Sequence, residues 1–408
     1  MRICYVLLSP TFGMHQYTAD LANRAAAGVF TDGREHTDAV HLITTTRLVR
    51  DRYSPHVQVH TPVTTSGTGF ALEGIRLAGL GRVVATIDGK GCDTVHITGV
   101  HAWNVLLVHA LRRQGIRVIH TLHDLNPHHG VRFPRLIRLW NRLVIASVDH
   151  LLVHGQCYRD RLLAIGVPAE KVTCVPLLHL FLSYDYMRQI EAQGLFAGYH
   201  GRNLGGKRAP RVDDPKVLFF GRVEAYKGVD ILLSAWEQVM AEGLEAKLIV
   251  AGPVAPGTRL PSLPMNVELR NRWVRDAEAL DLFRSASLIV LPYRDASQSA
   301  LVAAAYYFGV PVIVTATGAL PEYVVEGRTG WVVPPNDDRS LASALVRALT
   351  DLSRLHRMGQ EGQNWYHVQR RIERLSLSSM YEVGKSWLEA SSVDGSSSGR
   401  DFWAVGEE

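Results

Sequence analysis

The chain has 408 residues, 47% hydrophobic and 20% charged, an ordinary globular composition at about twice the length of a typical single domain. No stretch approaches the roughly 18 consecutive apolar residues of a membrane-spanning helix, and Cys4, Cys92, Cys157 and Cys174 form no CxxC pair, which excludes a zinc knuckle or a disulfide framework from the reading. The net charge of +5 is uneven, with 19 Lys and Arg against 12 Asp and Glu in residues 1–180, so one half is expected to face phosphorylated substrate or acidic lipid; no recognised motif accompanies the charge, and no nucleic-acid partner is predicted.

Arg2 precedes the apolar run Ile3 to Leu8, which is shorter than a signal-peptide core and reads as a first strand. Further short runs follow at Ala39 to Thr44, Val95 to Thr98, Val118 to Leu122, His150 to Val153 and Val172 to Val175, separated by amphipathic stretches. Strands alternating with helices imply a parallel sheet covered on both faces. The segment 181–214 closes this domain and crosses to the next; its part Gly198 to Pro215 is rich in glycine and basic residues. A second set of strands is predicted at Val217 to Phe220, Ala246 to Ala251, Val267 to Leu269, Leu288 to Pro292, Val312 to Val314 and Gly330 to Val333. Residues 351–390 read as C-terminal helices, and the Ser- and Gly-rich segment 391–408 as a disordered tail. The expectation is α/β: two Rossmann-like domains, 1–180 and 215–350, with parallel sheets facing a central cleft. Ligands of such sheets bind beyond the carboxyl ends of the strands.

The most informative stretch is Leu218 to Gly228, where a buried strand runs into Gly221-Arg222 and then Lys227-Gly228 at a helix start. A planar guanidinium, a mobile ammonium and first-turn N–H groups can converge on one diphosphate. Two solvated surface cations are the alternative on composition alone. With Pro292-Tyr293, Phe308-Gly309-Val310-Pro311, Gly318-Ala319-Leu320-Pro321-Glu322 and Gly327 to Pro335, this set resembles, in order and spacing from Pro215 to about Thr350, the retaining GT-B glycosyltransferases of the group-1 type (glycosyltransferase family 4). The N-terminal half is similar more loosely. There Gly13 stands at the family's glycine-rich loop and His123-Asp124 at its strand-end histidine.

The resemblance implies a donor site built from Gly13, Gly221, Arg222, Lys227, Ser297, Gln298, Ser299, Ala300 and Glu322, with His123 and Asp124 on the catalytic side. It also implies a nucleotide-diphosphate sugar donor, retention of configuration, and a glycan, lipid-linked or small-molecule acceptor. One departure stands out. Counting back from Gly309 places Ala296 and Ala304 where the family carries two glutamates, so the sugar and ribose contacts of those glutamates do not carry over. Ser297, Gln298 and Ser299 open the following helix instead, and its first-turn N–H groups remain available to an anion.

His120, His123, His128 and His129 cluster around the strand Val118 to Leu122. Fifteen of the 18 histidines precede residue 181, so position at the strand exit, not residue type, singles out His123. No Asp-x-Asp triplet occurs, and neither a metal nor a cofactor beyond the donor itself is predicted; leaving-group charge would meet Arg222 and Lys227. Arg132, Arg135, Arg138 and Arg142 interleave with apolar residues including Trp140. This pattern fits a basic amphipathic helix resting on anionic lipid, with Arg135, Arg138, Arg142 and Trp140 at the membrane or acceptor, or a packed helix with a solvated basic face. The expected station is the cytoplasm, with the inner face of the cell membrane as the alternative. A non-catalytic sugar-nucleotide or glycan-binding relative and a nucleotide-sugar epimerase are the competing functions.

Overall fold

The computed structural model describes residues 2–9, 11–30, 39–64, 77–125, 134–192 and 214–382. The first domain runs β1 (Ile3–Val6), α1 (Phe12–Ala26), β2 (Val40–Thr45), β3 (Val57–Val63), α2 (Leu77–Asp88), β4 (Thr94–Ile97), α3 (Asn104–Arg113), β5 (Arg117–Thr121), α4 (Pro134–Ser147), β6 (His150–Val153), α5 (Gln156–Ala164), β7 (Val172–Cys174) and α6 (Tyr184–Ala192). The second runs β8 (Lys216–Phe220), α7 (Val229–Ala241), β9 (Lys247–Ala251), β10 (Val267–Arg270), α8 (Asp276–Ser285), β11 (Leu288–Leu291), α9 (Ala300–Tyr307), β12 (Val312–Thr315), β13 (Gly330–Val333), α10 (Asp338–Thr350) and α11 (Leu352–Glu382).

Both sheets are parallel, ordered β3-β2-β1-β4-β5-β6-β7 and β10-β9-β8-β11-β12-β13. Central strands such as β1 and β11 are buried along their whole length, which is why they read as continuous apolar runs in the sequence, while β4 is equally buried but carries Thr94 and His96. Strand order reverses between β1 and β4 in one sheet and between β8 and β11 in the other. The loops leaving these strands therefore define the two crevices where a ligand can sit.

Two sequence expectations are corrected. β3 was not anticipated, because its Pro62 and mixed burial hide an edge strand, the one place in a sheet where proline is tolerated. The segment expected to hold several C-terminal helices is, over its described part, the single helix α11, which packs on α9 and then reaches back to the first domain. There the Tyr381 hydroxyl sits 3.1 Å from that of Tyr5 and 2.8 Å from His96 Nδ1. Asp20 and Arg24 of α1 alternate with Arg370 and Glu373 of α11 in a closed ring of ion pairs. Burial would raise the Asp20 carboxyl, but Arg370 and Arg24 outweigh it and hold the group at about 2. The proposed tail 391–408, and most of the segment 181–214, lie outside the described residues; α6 falls within that segment.

Candidate active site

A cavity of about 490 Å³ opens between the carboxyl ends of the two sheets. Its wall includes ten of the residues singled out in the sequence: Gly13, His123, Asp124, Gly221, Arg222, Lys227, Ser297, Gln298, Ser299 and Ala300. A larger cavity of about 860 Å³ lies against the amino ends of the second domain's strands, at Lys216, Ser287 and Pro311. Its Arg270 is already paired with Glu278, and it is at the wrong end of the sheet for a ligand of this fold.

On the second domain's side, β8 is followed by Gly221, whose φ of 111° is open to glycine and strained for other residues. The chain then forms a single tight turn, Ala225–Lys227, and enters α7 through Gly228. Arg222 is exposed and pairs with Glu224 at 3.0 Å. Lys227 is half-buried, with its ammonium 5.8 Å from the Tyr226 ring and 5.7 Å from the Tyr293 ring. Desolvation pushes it down to about 8, against the pull of Glu224. No ion-pair partner accompanies it among the described residues. An ammonium without an ion pair beside a helix start has the chemistry to receive an anion.

Across the cleft, β5 delivers His123 and Asp124. The His123 Nε2 donates to the Thr98 carbonyl at 3.0 Å, and burial lowers the ring's pKa and keeps it neutral, so Nδ1 carries the acceptor lone pair. Gln298 reaches over from the loop after β11. Its Nε2 donates to the His123 carbonyl at 3.1 Å and lies 3.4 Å from Nδ1, which orients the amide and leaves its Oε1 buried without a partner. Ser297 Oγ donates to Asp124 Oδ1 at 2.6 Å, and Tyr158 donates to the Ser297 carbonyl at 3.0 Å. Ser299 caps α9, accepting from the Leu301 N–H at 3.3 Å. Ala296 borders the cavity, while Ala304 is fully buried inside α9. No carboxylate replaces the glutamates at either position.

Two assignments change. Glu322 does not line the cavity; its two oxygens accept from Gln156 N–H at 2.5 Å and Cys157 N–H at 2.8 Å, capping α5 from across the domain boundary. Trp140 points inward, its ring 6.0 Å from that of His120, so it is no interfacial anchor. Arg135, Arg138 and Arg142 are exposed, as expected, but share their face with the exposed Leu136, Leu139 and Leu143. His128, His129 and Arg132 lie outside the described residues. Sequence reasoning missed Trp273, an exposed ring in the wall after β10, the tyrosine pair around Lys227, and His179. Position at a strand exit was the available signal for Trp273.

No group of three or more His, Cys, Asp or Glu among the described residues is arranged to hold a metal ion, and no described helix is long and apolar enough to cross a membrane. Residues 12–177 match the glycosyl transferase 4-like domain and residues 214–351 the glycosyl transferases group 1 family. A D-inositol 3-phosphate glycosyltransferase of Thermobispora bispora is 27% identical over 68% of this chain and 67% of its own length. Its counterpart from Mycobacteroides abscessus is 26% identical over 58% of this chain and little more than half, 54%, of its own. Among solved structures, Anabaena Alr3699/HepE in complex with UDP and glucose superposes with a TM-score of 0.66 at 16% identity, covering 93% of this chain and 99% of that one. Two matched domains in order, on two facing parallel sheets, place this chain in the group-1 glycosyltransferases of GT-B fold.

Proposed function

We propose that this protein transfers a sugar from a nucleotide-diphosphate sugar to a hydroxyl of a glycan, lipid-linked or small-molecule acceptor, with retention and without a metal ion. The observation that carries this is Lys227, a charge without a protein partner at the start of α7, facing His123 and Asp124 across the cleft. Lys227 and Arg222 would take the diphosphate and meet the charge that develops as it leaves. The His123 Nδ1 would exchange its long 3.4 Å contact with the Gln298 amide for a donor-sugar hydroxyl, and Asp124 would act beside it through the Ser297 contact. The Anabaena complex supports UDP-glucose as the first donor to try. Thermal unfolding with UDP, GDP and ADP, each alone and as its hexose derivative, tests the reading. One nucleotide series should raise the melting temperature, and its sugar form should raise it further. No response to any of them would refute it.

We also propose that α4 rests on anionic lipid. Three arginines and three leucines on one exposed face give charge attraction and insertable apolar area together. Co-flotation should occur with phosphatidylcholine vesicles containing phosphatidylglycerol and fall away in Leu139→Glu; equal behaviour of the two proteins would remove α4 from the membrane.

A further inference from the structure

Each of the other buried histidines of the first domain makes at least one hydrogen bond within the protein, although His15, His120 and His154 keep one ring nitrogen unpartnered among the described residues. His15 bonds Tyr53, His96 bonds Tyr381 and Thr121, His120 bonds Asn104, His150 bonds Thr173 and His154 bonds the Val175 carbonyl. His179 does not. It is 6% exposed, lies in the wall of the cleft, and has no hydrogen bond at either ring nitrogen among the described residues. Nδ1 is sealed, which leaves Nε2 as the edge that a ligand can reach. Packing alone holds the ring: Tyr17 meets it edge-on at 5.8 Å, and Tyr17 is itself fixed by Thr121 at 2.9 Å and by the His123 ring at 4.9 Å.

The chemistry of the wall narrows what His179 can bind. Its two cations, Arg222 and Lys227, both belong to the second domain, while the described first-domain residues of the wall, among them Gly13, Gln16 and His123, supply none. Burial keeps the His179 imidazole neutral, lowering it to about 4 against the opposing pull of Asp20. No protein partner fixes its tautomer, so Nε2 can donate or accept. A hydroxyl answers both states, whereas a phosphate or carboxylate oxygen answers only one.

We infer that His179 binds a hydroxyl of an uncharged polyol or sugar acceptor through Nε2, holding it against the first-domain wall opposite the diphosphate site. This rests on the nucleotide-sugar reading of the cleft. His179→Phe keeps a ring against Tyr17 and removes both nitrogens, and His179→Gln returns a hydrogen-bonding group. The probes are myo-inositol and methyl α-glucoside as neutral acceptors and D-inositol 3-phosphate as the charged one, each with the nucleotide sugar that stabilises the wild type. In His179→Phe the KM for a neutral acceptor should rise several-fold to about tenfold, the loss of one hydrogen bond. Donor KM, UDP affinity and melting temperature should stay at wild-type values, and His179→Gln should recover part of the loss. The inference is overturned if His179→Phe leaves acceptor KM unchanged, if donor KM rises equally, or if only the phosphorylated probe or none of the three is used. Failure of the underlying reading is separate and visible, since the wild type would then bind no nucleotide sugar.

Discussion

Burying an ammonium with no ion pair costs desolvation until an anion arrives, and burial lowers Lys227 to about 8 although the rings of Tyr226 and Tyr293 lie within 6 Å of it. A bound diphosphate favours the protonated form and raises that value. Affinity is therefore full below pH 8 and lost as the pH rises through it, so UDP titrations of the wild type should weaken between pH 7 and pH 9.5. Lys227→Met should lower affinity at pH 7 by about 1.5–3 kcal/mol, the value of a hydrogen bond to a charged group, and flatten this pH dependence. Calorimetry with an unchanged pH profile in Lys227→Met would show that another group binds the phosphate. Arg222 matters less, being exposed and engaged by Glu224. Lys227 was legible in the sequence because a Gly-Arg and Lys-Gly pairing around a strand end is local. His179 was not, because fifteen of the 18 histidines crowd the first 180 residues and only a missing partner in three dimensions distinguishes it. Trp140 failed for a different reason: α4 carries apolar residues on both faces, and its inward face is the one on which Trp140, Asn141, Val144 and Ile145 are buried.

Elements position these groups through backbone geometry that sequence patterning only outlines. Gly228 opens α7 with φ 64°, and a Cβ there would collide with the Pro292 carbonyl at the end of β11. Gly228→Ala should therefore cost at least the roughly 1–3 kcal/mol of a forced left-handed conformation, read as a lower melting temperature. If the variant melts with the wild type, the close approach of the two loops is not a constraint. Parallel strands were legible because buried runs between amphipathic helices have few other arrangements. Glu322 was misplaced because its sequence neighbourhood resembles a donor loop, while the partner that claims its carboxylate, the start of α5, lies 165 residues away in the chain.

At the scale of the molecule, the two domains are joined by side chains as much as by chain. Asp276 accepts from Arg52 at 3.1 Å and from the Ser183 N–H at 2.7 Å, Ser297 meets Asp124, and α11 closes its ring of charges on α1. These contacts bring the Lys227 side of the cleft over His123 and His179, so that one cavity is walled by residues of both halves. Transfer itself is the direct test. The protein should be incubated with the nucleotide sugar that stabilises it, a neutral polyol acceptor and a strong chelator, and the products analysed by mass spectrometry. The expected result is acceptor heavier by one sugar residue together with free nucleoside diphosphate. A nucleotide sugar recovered intact, or converted to its isomer with no acceptor consumed, would contradict a glycosyltransferase.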